Sequence, residues 1–230
     1  MGPKLITFDF GDTLVTSDPP YLDRMALALG ELGCPRSLTE VTRAYFEADV
    51  WAATEMLQRA PFTPEEFQTR FSDTFFEALG LAAEAERLRG PMQRKLIELR
   101  PRRVMMPGAG ELILRLHSLG YRLGIISNND GRTREKCRSV GIEHFFSFIL
   151  DSTQEGVMKP DPRIFQRALR LEGAEAAEVL HVGDLYGCDV MGAAAAGIPA
   201  VWLGNDLISP PAVKDCRRIN GLLDLLGLLL

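Results

Sequence analysis

Four aspartates, one lysine and a Ser-Asn pair stand where apolar runs of this chain break off. Asp9 ends Leu5-Ile6-Thr7-Phe8, and Gly11, Asp12 and Thr13 follow it at once. Ser127 and Asn128 end Leu123-Gly124-Ile125-Ile126, and Lys159 lies in Gly156-Val157-Met158-Lys159-Pro160. Asp184 ends Val179-Leu180-His181-Val182-Gly183, with Asp189 five positions later. Carboxylates gathered in one crevice repel each other and hold on to protons unless a cation offsets their charge. A hard divalent ion such as Mg2+, which prefers oxygen ligands, resolves that conflict. Lys159 adds positive charge for an anionic substrate, while Ser127, Asn128 and nearby amides suit phosphoryl oxygens. The set is suited to phosphoryl transfer.

These residues can meet only if the strands that carry them end on one edge. Five short runs rich in Val, Ile, Leu and Phe read as strands buried on both faces: LITFDF, YRLGIIS, FFSFIL, EVLHVGD and PAVWL. From residue 108 onward, helical patterns alternate with them and mostly stop at glycine. That alternation predicts a Rossmann-like α/β core with a parallel sheet, in which ligands bind beyond the carboxyl ends of the strands. Residues 17–100 break the rhythm with helical blocks alone, and Thr63 with Glu66 reads as a capping box at a helix start. The expected organisation is a core of residues 1–16 and 101–230 interrupted by an all-helical insertion at 17–100. Hinges are expected near Ser17–Pro20 and Pro101–Pro107.

Bulk properties narrow the function classes. The 230 residues carry an ordinary apolar fraction of 46% and a net charge of −5, which offers no basic field for nucleic acid. The four cysteines lack C-x-x-C spacing and the three histidines do not cluster, so neither a disulfide framework nor a zinc site is expected. A reduced, cytoplasmic setting follows as the expectation. The apolar ending GLLDLLGLLL is too short to cross a bilayer and reads as a terminal helix docked on the core.

Taken in order, Asp9 with Thr13, then Ser127-Asn128, then Lys159, then Gly183-Asp184 with Asp189, the motifs resemble those of the haloacid dehalogenase superfamily of hydrolases. The resemblance covers nearly the whole chain, and the helical insertion resembles the cap that one subgroup carries after its first motif. It implies that Asp9 is a nucleophile forming an aspartyl-phosphate from a small phosphate ester. It also implies that Asp9, Asp184 and the Gly11 carbonyl ligate Mg2+, with Asp189 in support. Lys159 would neutralise and orient Asp9, Thr13 would brace the loop, and Ser127 with Asn128 would position the phosphoryl group.

One position departs from the pattern. Phosphatases of the family usually carry Asp-x-Asp-Gly-Thr, whereas this chain reads Asp9-Phe10-Gly11-Asp12-Thr13. The missing aspartate protonates the leaving oxygen and then activates water, assistance worth about 10^2 to 10^4 in rate. Asp12 is a candidate substitute, although a one-residue shift redirects its side chain. A slow phosphohydrolase is therefore expected. The rivals are a binding module that keeps the fold and the ion, and a hydrolytic 2-haloacid dehalogenase, which also lacks the second aspartate but has no use for the acidic pair.

Other polar and aromatic residues read blandly. Cys188 and His181 are expected in packed surroundings, His117 and His144 as structural or exposed. Tyr45, Phe46 and Trp51 read as helix packing, and Tyr21 and Arg24 as candidates for substrate contact.

Overall fold

The computed structural model describes residues 2–59, 61–99 and 101–229. In chain order the elements are β1 (Leu5–Phe8), β2 (Val15–Asp18), α1 (Tyr21–Glu31), α2 (Leu38–Gln58), α3 (Pro64–Ala78), α4 (Ala85–Glu98) and β3 (Arg102–Met105). There follow α5 (Ala109–Ser118), β4 (Arg122–Ser127), α6 (Thr133–Ser139), β5 (Phe148–Asp151), α7 (Ser152–Glu155) and α8 (Pro162–Glu172). The chain closes with β6 (Val179–Gly183), α9 (Gly192–Ala195), β7 (Ala200–Leu203), β8 (Cys216–Ile219) and α10 (Asp224–Leu229).

Six strands form one parallel sheet in the order β5-β4-β1-β6-β7-β8. The five expected strands are all in it. Because side chains alternate across a strand, Ile6 and Phe8 join a core cluster with Leu112, Ile113 and Leu116 of α5. Leu5 faces the other way, into a cluster with Ile164 and Phe165 of α8. The sheet is thus buried on both faces, as its continuous apolar strands require. The last helix closes one face, with Leu222 and Leu225 buried in the α5 cluster.

Strand order reverses at β1: β4 and β5 run outward on one side, β6, β7 and β8 on the other. Such a switch point leaves a crevice beyond the strands' carboxyl ends. Register places Phe8 beside both Ile125 and Val182, so Asp9, Ser127 and Asp184 emerge from neighbouring strands at the same edge.

Helices α1 to α4 surround a separate cluster that includes Met25, Leu29, Val41, Phe75 and Leu88. Capping boxes start two of them: Ser37 with Glu40 at α2, and Thr63 with Glu66 and a following proline at α3. The chain enters and leaves this helical segment through an antiparallel pair, β2 and β3, with Thr16 opposite Val104 and Asp18 opposite Arg102. Neither strand was expected. VTSD and RRVM lack an apolar alternation, and each depends on a partner far along the chain, as Val15 does on Met105. Strand β8 (CRRI) escaped notice for a similar reason, since as an edge strand it needs only one apolar anchor, Ile219. No described helix is long and apolar enough to cross a membrane.

Candidate active site

Asp9 leaves β1 with its amide donating to Val182 O, which carries the chain past the sheet edge in strand register. Its Oδ1 meets Lys159 Nζ at 2.6 Å, and the same ammonium meets Asp189 Oδ1 at 2.6 Å. Lys159 is only 2% exposed. Its main chain is held at two points by Asn128, which donates Nδ2–H to Lys159 O and accepts Lys159 N–H, each at 2.8 Å. The Asn128 amide, expected to face the phosphoryl group, is therefore engaged in placing the lysine. Ser127 is buried at the end of β4.

The loop after β6 brings two more carboxylates. Asp184 Oδ1 accepts from Thr13 Oγ1 at 2.9 Å, so the first loop braces the later one. A π-helical turn at Tyr186–Met191 follows, a wide turn frequently found at functional sites. It folds Asp189 back onto the end of β6, where its Oδ2 accepts Leu185 N–H at 3.0 Å. A Cβ on Gly183 would lie 2.2 Å from Asp189 Cγ, so this return is open only to glycine. His181 secures Asp189 from behind: its Nε2 lies 3.2 Å from Asp189 Oδ1 and its Nδ1 bonds Thr7 Oγ1 at 2.9 Å. His181 is thus a satisfied core residue, as expected.

The charges do not balance. Carboxylate oxygens of Asp9, Asp184 and Asp189 lie within 4.8 Å of one another, facing the single ammonium of Lys159. Burial pushes the Asp9 carboxyl up to about 6, against the pull of Lys159 and with the push of Asp189. Burial also opposes charge on Asp189, yet Lys159 and His181 hold its pKa below the ordinary value. Burial works against the Lys159 charge too, but Asp189 and Asp9 keep it firmly protonated. Among the described residues, no cationic side chain pairs with Asp184. Burial, then the charges of Asp9, Asp189 and Asp12, raise its carboxyl well above the usual range.

That set fits a hard divalent cation, because every donor is oxygen and the excess charge is negative. Among the described residues, Asp9 and Asp184 each keep a carboxylate oxygen that no side chain engages. Both oxygens of Asp189 are already bonded, which makes it a support for Lys159 rather than a direct ligand.

Asp12 stands where the usual pattern has glycine. Asp12 adopts a left-handed φ of 53°, a conformation that glycine takes freely and aspartate tolerates. Its carboxylate accepts from Thr16 Oγ1 of β2 and feels the charge of Arg24. Gly11 is exposed, and a Cβ there would lie 4.0 Å from Asp9 Oδ2, which is ordinary contact.

One site residue had gone unnoticed. Asp49 of α2 is 0% exposed, and its carboxylate accepts the amides of Gly187 and, at 2.9 Å, Cys188. A carboxylate of the helical segment thus clamps the turn that links Asp184 to Asp189. The approach is close enough that a Cβ on Gly187 would lie 2.3 Å from Asp49 O. The available signal was an acid at the helical spacing of Ala52, Ala53 and Met56, the buried face of α2. Cys188 is buried among these groups, as expected. Tyr45 packs edge-on against Phe71 and Phe75, whereas Trp51 is 61% exposed with Arg70 over its ring and is not packed as expected.

Comparison with known proteins agrees with this fold. A phosphoserine phosphatase from Thermus thermophilus is 32% identical over 93% of this chain and 94% of its own length. A glyceraldehyde 3-phosphate phosphatase from Pyrococcus abyssi is 43% identical over 42% of this chain, but the match spans only 41% of that relative. Among solved structures, the YfnB hydrolase from Bacillus subtilis bound to magnesium superposes with a TM-score of 0.66 at 23% identity, covering 100% of this chain and 99% of that one. The L-2-haloacid dehalogenase RSc1362 gives 0.68 at 20% identity with the same coverage. At such identities the two structures speak for the fold alone. Residues 3–197 match the family described as haloacid dehalogenase-like hydrolase. With that match over most of its length, on a parallel sheet whose switch point gathers the Asp9, Lys159 and Asp184 side chains, the chain belongs to the haloacid dehalogenase-like hydrolases.

Proposed function

We propose that the protein is a Mg2+-dependent phosphohydrolase of small phosphate esters, working through an aspartyl-phosphate on Asp9. The observation that carries this reading is the pairing of Asp9 with the buried ammonium of Lys159 at the switch point, beside an uncompensated Asp184. The names of its phosphatase relatives point to the same substrate class.

Asp9 attacks phosphorus through a carboxylate oxygen. The bond from phosphorus to the ester oxygen breaks, and the leaving oxygen carries away the electron pair. Lys159 keeps Asp9 ionised and fixes its rotamer, with Asp189 and Asn128 holding the lysine in place. Asp9, Asp184 and the Gly11 carbonyl would hold Mg2+. The ion, when bound, neutralises charge on the phosphoryl oxygens. Water then attacks the aspartyl-phosphate and releases inorganic phosphate. Helices α1 to α4 act as a cap that excludes bulk water from the crevice.

Gly11 shapes the kinetics. With no carboxyl at that position, leaving-group protonation and water activation lose their usual agent, and both steps slow. Esters with acidic leaving groups are affected least. The experiment is turnover of an aryl phosphate and an alkyl monoester by wild type and Asp9→Asn, with Mg2+ and with EDTA. Mg2+-dependent aryl turnover lost in Asp9→Asn supports the reading. Turnover of a 2-haloacid in EDTA favours a dehalogenase instead. Magnesium binding without turnover of any ester favours a binding module, the outcome that Gly11 itself makes worth testing.

A further inference from the structure

Helix α2 belongs to two cores. Its first half packs into the helical segment, with Val41, Ala44 and Ala48 in the cluster that holds Met25 and Leu88. Its second half turns to the sheet domain. Ala52 and Met56 join Phe62 and Phe67 against Met158 and Cys188, the chain neighbours of Lys159 and Asp189. Val50 packs against the group that contains Tyr186, Val190 and Trp202. Arg163 of α8 adds a bond from its Nη2 to Phe62 O at 3.3 Å. The helical segment is therefore fixed at a second place, besides the β2–β3 pair through which the chain enters and leaves it.

Asp49 stands where the two halves meet. The turn at Tyr186–Met191 opens on Leu185, which offers it no side-chain cap. First-turn amides need acceptors from elsewhere. The Asp49 carboxylate supplies them, accepting the N–H groups of Gly187 and, at 2.9 Å, Cys188. It caps the turn as an N-cap side chain does, but from another segment of the chain. Among the described residues no cationic side chain bonds Asp49, although it is 0% exposed, so these two amides are what hold a buried carboxylate there. A Cβ on Gly187 would lie 2.7 Å from Ala53 Cβ, so helix and turn approach through the glycine. Asp189 follows Cys188 directly, and Lys159 Nζ donates to both Asp189 and Asp9. A shift of the turn therefore moves the carboxylate that holds the lysine, and with it the lysine that holds Asp9.

We propose that Asp49 is a positioning residue for the cation site, and that through it the docking of α2 and the binding of Mg2+ stabilise each other. The proposal rests on the reading of Asp9 and Asp184 as the holders of Mg2+. Side chains that orient a metal's ligands without touching the ion set its affinity, and replacing one costs about tenfold to a hundredfold. Coupling of this kind is reciprocal: whatever Asp49 adds to Mg2+ affinity, bound Mg2+ returns to the docked position of α2.

Two measurements on the full chain test this: calorimetric titration with Mg2+ alone, and hydrogen exchange of the α2 amides from Ala48 to Met56 with and without Mg2+. In wild type, saturating Mg2+ is expected to slow that exchange about tenfold. Asp49→Asn keeps the shape of the side chain but turns an N–H toward one of the two amides. It is expected to weaken Mg2+ binding about tenfold or more and to shrink the effect of Mg2+ on exchange to within about twofold. Val41→Ala removes packing from the same helix about two turns away. It is expected to leave Mg2+ affinity within about twofold of wild type. Unchanged affinity in Asp49→Asn, or an equal loss in Val41→Ala, overturns the assignment. Should Asp49→Asn fail to fold, wild-type exchange decides: slowing of α2 by Mg2+ upholds the coupling, and exchange indifferent to Mg2+ overturns it. A wild type that binds no Mg2+ overturns the cation reading and this inference with it, whereas binding without coupling overturns the inference alone.

Discussion

Lys159 Nζ lies 2.6 Å from Asp9 Oδ1, within a site where the lysine is 2% exposed. The ammonium is shared with Asp189, so one charge ties the end of β1 to the turn after β6. A buried pair of this kind is weak evidence of net stabilisation, but breaking it by removing one partner is strongly destabilising. Lys159→Met should therefore lower unfolding free energy by about 3–5 kcal/mol, because Asp9 and Asp189 lose their only ammonium. Urea denaturation measures this, and an unchanged midpoint would show that the two carboxylates are balanced in some other way.

Gly11→Asp should restore what the first loop lacks. An added Cβ meets no atom closer than 4.0 Å, and the backbone there is outside the left-handed region. The expected outcome is a rise of about 10^2 in alkyl monoester turnover with a much smaller change for an aryl ester. Parallel gains on both ester classes would mean that proton transfer to the leaving group was never limiting.

Asp49 predicts a pH dependence of stability. Burial raises its carboxyl from the ordinary value to about 7, outweighing the amides of Gly187 and Cys188, with the Asp189 charge adding to the rise. Its neighbour Cys188 is a thiol that burial keeps protonated. A raised folded-state pKa means that the folded protein binds the proton more tightly than the unfolded chain does. The Asp49 contribution is therefore complete below about pH 4 and declines as pH rises through about 7. Denaturation across that range should show a steeper loss of stability in wild type than in Asp49→Asn, and identical slopes would remove the assignment.

Gly183→Ala tests the return of Asp189. Its Cβ would fall 2.2 Å from Asp189 Cγ, so the carboxylate must leave Lys159 and His181 or the strand must shift. We expect a loss of stability of about 2 kcal/mol or more and weaker Mg2+ binding by calorimetry. Mg2+ affinity equal to wild type would show that the cation does not depend on Asp189.

Much of this arrangement could be read from residue order. Asp9, Ser127, Lys159 and Asp184 stand out because a polar group ends or follows an apolar strand, and a parallel sheet aligns such ends. Thr13 and Asp189 were legible from their distance to those strands. Asp49 was not, because its partners are main-chain amides 138 and 139 residues away and amides leave no trace in composition. The bond from Thr16 to Asp12 was equally hidden, since it depends on one positive φ. Strands β2, β3 and β8 were hidden because they lack the apolar runs that mark β1, β5 and β7, which are just as short.

The most direct test is to quench the protein during aryl phosphate turnover in Mg2+ and map where the phosphoryl group resides. Because Gly11 leaves the second step without its base, the covalent species should accumulate, and the label should lie on the peptide containing Asp9. Release of phosphate with no label on Asp9, or at an undiminished rate in Asp9→Asn, would contradict the account.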